Sequence, residues 1–174
     1  MLSLKISSMK SSLWFFLLLI AIATNGQSKI LEDSTLFDFW VGDWNLEWTN
    51  ADGSKSFGTT KIEKILDGKV IQENFRDPKS GAKGISISVY NSKKKTWHQA
   101  WADNGGSYYD FEGVLVNGKP IFRTKEKEVS GNKIIQRMVF YDIKPNSLTW
   151  DWELTKDGGK TWALHWRIFY TRKQ

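Results

Sequence analysis

FDFWVGDWNLEW, residues 37–48, carries three tryptophans and two phenylalanines in twelve positions. From Gly42 onward the stretch alternates, with Trp44, Leu46 and Trp48 on one side and Asp43, Asn45, Glu47 and Thr49 on the other. A period of two marks a β-strand with one buried face. Just upstream, residues 34–40 predict a short helix with Ser34 as N-cap and apolar residues at Leu36, Phe37, Phe39 and Trp40. A helix this short is stable only when docked, so it is placed as a lid or plug at one end of a sheet.

The same grammar continues downstream as alternating stretches punctuated by turn clusters. The clusters are 50–54, Asp67-Gly68, 77–81, 91–93, 104–106, Asn117-Gly118, 130–132, 145–147 and 157–159. Asp-Gly and Asn-Gly supply the positive φ angles of tight hairpins. Nine turns imply ten strands. Ile85, Ile87 and Val89 oppose Ser86 and Ser88, and Leu148, Trp150, Trp152 and Leu154 oppose Thr149, Asp151 and Glu153. Consecutive strands joined by short turns form an antiparallel meander, and closing it into an up-and-down barrel removes both exposed edges. A sandwich is the competing architecture, but it calls for longer connections than these. The expected fold is therefore all-β, an antiparallel up-and-down barrel of about ten strands with a short N-terminal helix at one end.

The first residues read as a leader. Lys5 and Lys10 precede an apolar run at 13–23, followed by Thr24, Asn25, Gly26 and Gln27. About 20 apolar residues are needed to span a bilayer, so this shorter run reads as a secretory signal peptide over residues 1–26, cleaved after Gly26 or alternatively Ala23. An uncleaved N-terminal anchor is the rival reading. Residues 27–174 then form a single domain with no membrane span. Removing the leader takes two lysines and no acid, lowering the net charge from +6 to +4. The excess is scattered through turns such as Lys93-Lys94-Lys95 and the Arg172-Lys173 tail. Nucleic-acid binders concentrate such charge on one stripe, so no nucleic-acid partner is expected. Export permits disulfides, yet the chain has no cysteine, which leaves core packing as the source of stability and provides no thiol for a lipid anchor. The expected location is secreted or periplasmic.

The segment Phe37-Asp38-Phe39-Trp40-Val41-Gly42-Asp43-Trp44, a helical turn running into Gly-x-Trp on the first strand, resembles the opening motif of calycin, or lipocalin-like, barrels. Together with the Asp-Gly-Gly-Lys-Thr-Trp hairpin at 157–162 and the terminal Tyr170-x-Arg172, it is similar to a family of exported bacterial calycin-like domains of unassigned role, distantly like the ten-stranded nitrobindins. The likeness covers most of residues 35–173. It implies that Trp40, Gly42 and Trp44 belong to the closed end of a barrel, with an arginine packed across the Trp44 ring. Arg167 and Arg172 both qualify. Residues 155–162 are also similar to the Asp-box of sialidase-like propellers, a braced turn, which implies that Asp157 binds turn amides and Trp162 packs beneath them. One copy cannot build a propeller.

An eight-stranded barrel is just wide enough to be filled by its own side chains or to hold one small molecule, and diameter grows with strand number, so ten strands should enclose a cavity. Ten Trp, ten Phe and five Tyr in the chain supply an aromatic lining, and a small apolar or amphipathic molecule is the expected partner. The candidate ligand-binding residues are Trp48, Trp101, Tyr109, Arg137, Tyr141, Trp150, Trp152 and Trp166. Two registers govern this set. A three-residue turn after Leu154 puts Trp150, Trp152, Trp162, Leu164 and Trp166 on one interior face, whereas a two-residue turn puts His165 and Arg167 there instead. A four-residue loop at 144–147 brings Tyr141, Val139 and Arg137 inside, with Arg137 facing an anionic head group. The alternative is Arg137 outside, paired with a residue such as Glu153.

Catalytic patterns are sparse: there is no cysteine nucleophile, no paired-histidine metal motif and no glycine-rich phosphate loop between strand and helix. No catalytic residue, metal or cofactor is assigned. Haem bound by His98 or His165, as in the nitrobindins, is a minor alternative, although both histidines fall opposite their flanking tryptophans. An acidic pair among Glu73, Asp110 and Glu112 is another, and a barrel filled by its own rings and acting through its surface is a third.

Overall fold

The computed structural model describes residues 34–174; the expected leader and its cleavage site lie outside the described residues. After a 3₁₀ turn at Asp38–Trp40 come β1 (Gly42–Thr49), β2 (Lys55–Ile65), β3 (Val70–Arg76), β4 (Lys83–Asn91), β5 (Thr96–Asp103) and β6 (Tyr108–Val116). They are followed by β7 (Lys119–Arg123), β8 (Lys127–Val129), β9 (Asn132–Lys144), β10 (Ser147–Thr155) and β11 (Ala163–Arg172). Every wall pairing is antiparallel, each strand bonding to its neighbour in sequence from β1 to β7. Next, β7 pairs with β9, β9 with β10, β10 with β11 and β11 with β1. The result is a closed barrel of ten strands.

All nine turn clusters lie at connections between strands. The eleventh strand comes from the segment after Asn117-Gly118. Its apolar residues stop at Phe122, and Thr124-Lys125-Glu126-Lys127-Glu128 offers nothing for an interior. The chain therefore leaves the wall after β7, and β8 pairs only with the first residues of β9, Val129 opposite Asn132 and Lys127 opposite Ile134.

The N-terminal segment plugs the end of the barrel where β1 begins. Phe37 is fully buried, stacked on Phe122 at 4.1 Å and edge-on to Trp97 at 5.3 Å. Trp40 meets Phe140 at 5.3 Å. The plug is tighter than the predicted helix. Thr35, Phe37 and Asp38 carbonyls accept from Asp38, Trp40 and Val41 amides in successive three-residue turns, and Phe37, not Ser34, holds the N-cap position. Burial of Phe37 and Trp40 sets this geometry, since each ring removes roughly 150–250 Å² from water.

On β1 the alternation reads as the sequence implies, with Trp44, Leu46 and Trp48 buried. On β4 the alternation is present but the faces are reversed. Ser86 and Ser88 are inside at 1% and 0% exposure, while Ile85, Ile87 and Val89 face outward at 49%, 36% and 40%. The cause lies on the neighbouring strands. Ser86 sits between Glu73 and Trp101, and Ser88 between Ile71 and Gln99, so bulky partners leave room only for small residues, and the polar ones need a hydroxyl.

Candidate functional site

The closed end is built around Trp44. Its indole N–H donates to the Trp40 carbonyl at 2.8 Å, joining strand to plug. Arg172 from β11 pairs directly opposite Trp44 and places its guanidinium carbon 4.2 Å from the ring centre. Gly42 permits this approach: a Cβ there would stand 1.9 Å from Arg172 Nη1. Of the two candidate arginines, then, Arg172 covers the ring. Arg167 lies on the outer wall, where its guanidinium donates to both oxygens of Asp151 at 2.7 and 2.6 Å.

Beyond this plug the interior contains a cavity of about 220 Å³. Its walls are rings contributed by strands around the barrel: Phe75, Trp101, Tyr109, Phe111, Trp150, Trp152 and Trp166. Trp150 and Trp152 lie parallel with centres 6.4 Å apart, Trp166 is edge-on to Trp150 at 5.7 Å, and Tyr109 is edge-on to Trp152 at 5.6 Å. Trp48 supports the wall from behind, edge-on to Trp166 at 5.3 Å. Asp103 and Ser107, flanking the β5–β6 turn, form a rim at the end opposite the plug. Gly84 leaves the space in which the Trp101 ring lies, since a Cβ there would sit 2.1 Å from Trp101 Cζ2.

Trp40, Glu73 and Tyr170 form a polar floor in this aromatic room. Glu73 is 5% exposed and accepts hydrogen bonds from Ser86 Oγ at 3.0 Å and Thr60 Oγ1 at 3.2 Å. Burial pushes its carboxyl up to about 7, against the smaller opposing effect of those two hydroxyls. Burial likewise raises the Tyr170 hydroxyl well above its ordinary range, with the Glu73 charge adding to the effect. The Trp40 indole nitrogen is buried without a hydrogen-bond partner of good geometry, although Trp40 lies close enough to Tyr170 to oppose that rise slightly. Among the described residues no lysine or arginine lines the cavity.

Five of the eight residues proposed from sequence as ligand contacts, Trp101, Tyr109, Trp150, Trp152 and Trp166, line this cavity, and Trp48 lies directly behind it. Arg137 and Tyr141 do not; both face outward. Trp150 pairs with Phe140 and Trp152 with Met138, so Phe140 and Met138 are the interior residues of β9. The reason is a bulge. Asp142 takes a left-handed φ of 49°, and the β9–β10 register slips between Ser147 and Thr149, exchanging the faces of everything upstream. Arg137 instead pairs across strands with Glu153 at 2.6 Å, its guanidinium 3.5 Å from the Trp162 ring centre. Tyr141 donates to Asp151 at 3.2 Å, beside Arg167.

At the last hairpin Trp152 pairs with Trp166 inside, but a second bulge between Trp152 and Glu153 sets Leu164 opposite Glu153, and Leu164 is 48% exposed. Leu164 and Trp162 are thus outside the interior set. In the turn itself Asp157 accepts from the Lys160 and Thr161 amides and from the Thr155 and Thr161 hydroxyls, at 2.6–3.1 Å. These bonds hold its carboxyl well below the usual range. Trp162 closes the turn by donating to the Gly159 carbonyl at 3.1 Å.

Neither histidine lines the cavity: His165 is exposed on β11, and His98 lies on the outer face of β5 with Nε2 3.1 Å from Thr96 Oγ1. Haem would find no histidine ligand in this interior. Asp110 also points outward, bonded to Tyr108, and Glu112 shares its face. Asp103 is occupied by the Gly105 and Ser107 amides and the Trp101 indole, which leaves Glu73 as the cavity carboxyl not committed to a turn. A wider surface groove of about 650 Å³ runs outside the wall between β5–β6 and the β8–β9 ribbon, with no comparable ring of aromatic side chains. No protein-family model matches the chain, and no curated protein matches it.

Proposed function

We propose that the protein binds one small apolar or amphipathic molecule, without covalent chemistry, inside the barrel, and that it does so as an exported member of the calycin-like barrels. The observation that carries this reading is the cavity itself: rings from several strands around a space of about 220 Å³, with two carboxylates, Glu73 at its floor and Asp103 at its rim. Concave, mostly aromatic sites with a few convergent polar groups are the usual form of small-molecule sites. The volume lies below the roughly 300–1,000 Å³ typical of drug-sized ligands, which favours a molecule of one or two rings.

Four tryptophans in the wall make the test direct. Titrating the purified protein with a panel of small aromatic and aliphatic compounds should shift or quench its tryptophan emission, and Trp152→Ala should weaken the response. A flat response across a chemically diverse panel would overturn the binding reading and leave a barrel acting through its outer surface.

A further inference from the structure

We propose that the cavity selects small aromatic molecules bearing a positive charge, with Glu73 as their counter-ion at its floor. The inference rests on the binding reading above and narrows the ligand class. A buried carboxyl normally has a cationic partner, because an isolated charge in a low-dielectric interior is costly. Glu73 has hydroxyl partners only, Ser86 and Thr60. A carboxylate accepts about four hydrogen bonds, so acceptor capacity remains. The faces of the surrounding rings carry the negative end of the aromatic quadrupole, the environment that recognises organic cations. The buried Trp40 N–H, which has only the neighbouring Tyr170 hydroxyl near it and no hydrogen bond of good geometry, borders the same floor. An anionic ligand meets the opposite situation, since Arg137 and Arg167 are outside and Arg172 is committed to Trp44.

The groups packed around Glu73 are Thr60 on β2, Ser86 on β4, Tyr170 on β11 and Trp40 in the plug. Tyr170 alone among them titrates, far above neutrality, and none is a cation. With the Glu73 carboxyl pushed up to about 7, a cation entering below that pH displaces a proton, and binding strengthens as pH rises through it.

Tryptamine, tryptophol and indole-3-acetate share one ring system and carry positive, zero and negative charge. Calorimetric titration at about pH 8 should give tryptamine a Kd about tenfold tighter than tryptophol, with indole-3-acetate weakest. At about pH 5.5 the tryptamine advantage should vanish as Glu73 takes up its proton. Between these limits the heat of tryptamine binding should depend on the buffer's ionisation enthalpy, reporting proton release. Glu73→Gln should bring the tryptamine-to-tryptophol affinity ratio at pH 8 to about one and abolish its pH dependence. If Glu73→Gln fails to fold, the pH dependence of the tryptamine-to-tryptophol ratio in the natural protein decides the matter. Equal affinity for tryptamine and tryptophol at pH 8 would overturn charge selection while the cavity-binding reading stands. Failure of all three indoles to bind would overturn this site as one for indole-sized cations, and the chemically diverse fluorescence panel then decides the binding reading itself.

Discussion

Arg172 stacks 4.2 Å from the centre of the Trp44 ring, and the same guanidinium donates to the Val41 carbonyl at 3.1 Å and the Pro145 carbonyl at 2.9 Å. One side chain from the last strand therefore ties together the first strand, the exit from the plug and the β9–β10 turn. The barrel is sealed where its first and last strands meet. Gly42 is the other half of this device. Its φ of 144° lies where side chains are disfavoured, and the missing Cβ is what the guanidinium replaces.

Gly42 and Arg172 should therefore be energetically coupled. Arg172→Ala removes a cation–π contact and charge-assisted hydrogen bonds, together worth about 2–3 kcal/mol. Gly42→Ala introduces backbone strain of about 1–3 kcal/mol and a clash with Arg172 Nη1. In the double variant the clash disappears, so its loss of stability should fall short of the summed single losses by about 1 kcal/mol or more. Urea unfolding of the four proteins measures this, and strict additivity would show that the two residues act independently.

Much of this architecture was legible because burial imposes a period of two. Trp44, Leu46 and Trp48, or Trp150 and Trp152, share a face in any register, and the turn clusters mark every connection they predict. The misread residues lie beyond bulges. Asp142 in a left-handed conformation inverts Arg137 and Tyr141, and the slip at Trp152 and Glu153 turns Leu164 outward. Nothing in the residue types there announces an extra residue. On β4 the error has another source: Ile85, Ile87 and Val89 look like a core face, and only the bulk of Trp101 and Gln99 across the strand pair shows that serines belong inside. Glu73 was findable, because the same alternation places it between Ile71 and Phe75 on the buried side of β3.

Gly84 should control the width of the cavity. Because a Cβ at this position would sit 2.1 and 2.3 Å from two atoms of the Trp101 ring, Gly84→Ala forces that ring to move. The barrel should still fold, with a loss of about 1–3 kcal/mol typical of overpacking. Binding of any ligand detected by the fluorescence panel should weaken far more than it does in Arg137→Met, whose side chain lies outside the wall. Equal effects of the two substitutions would place the binding site elsewhere.

Asp157 braces one turn, so its loss should be felt locally. Asp157→Ala removes the acceptor for the Lys160 and Thr161 amides, and these two amides should exchange with solvent much faster while protection in β1 and β2 is unchanged. The carboxyl is held below its ordinary value, so its stabilising contribution is present above about pH 4 and fades as pH falls. Amide exchange followed by NMR or mass spectrometry reads both effects; uniform loss of protection across the barrel would show that the turn is integral to global stability.

Glu73 sets the opposite dependence. Its carboxyl rises from an ordinary value of 4.5 to about 7 in the folded protein, so the native state binds this proton more tightly than the unfolded chain does. The associated stability is fully present below about pH 4.5 and is lost as pH rises to 7, a change of about 3 kcal/mol across that window. The lowered carboxyls of Asp52, Asp77, Asp103 and Asp157 lose their contributions only at more acidic pH, so they do not mask the trend. Urea midpoints should therefore fall between about pH 5 and pH 8 in the natural protein. Glu73→Gln, which keeps the shape and cannot ionise, should flatten that slope and be the more stable form at pH 8. A saturating cationic ligand should also flatten it, by stabilising the ionised carboxylate in the folded state alone. A steep slope retained in Glu73→Gln would assign the dependence to another group and remove the physical basis for a titrating floor.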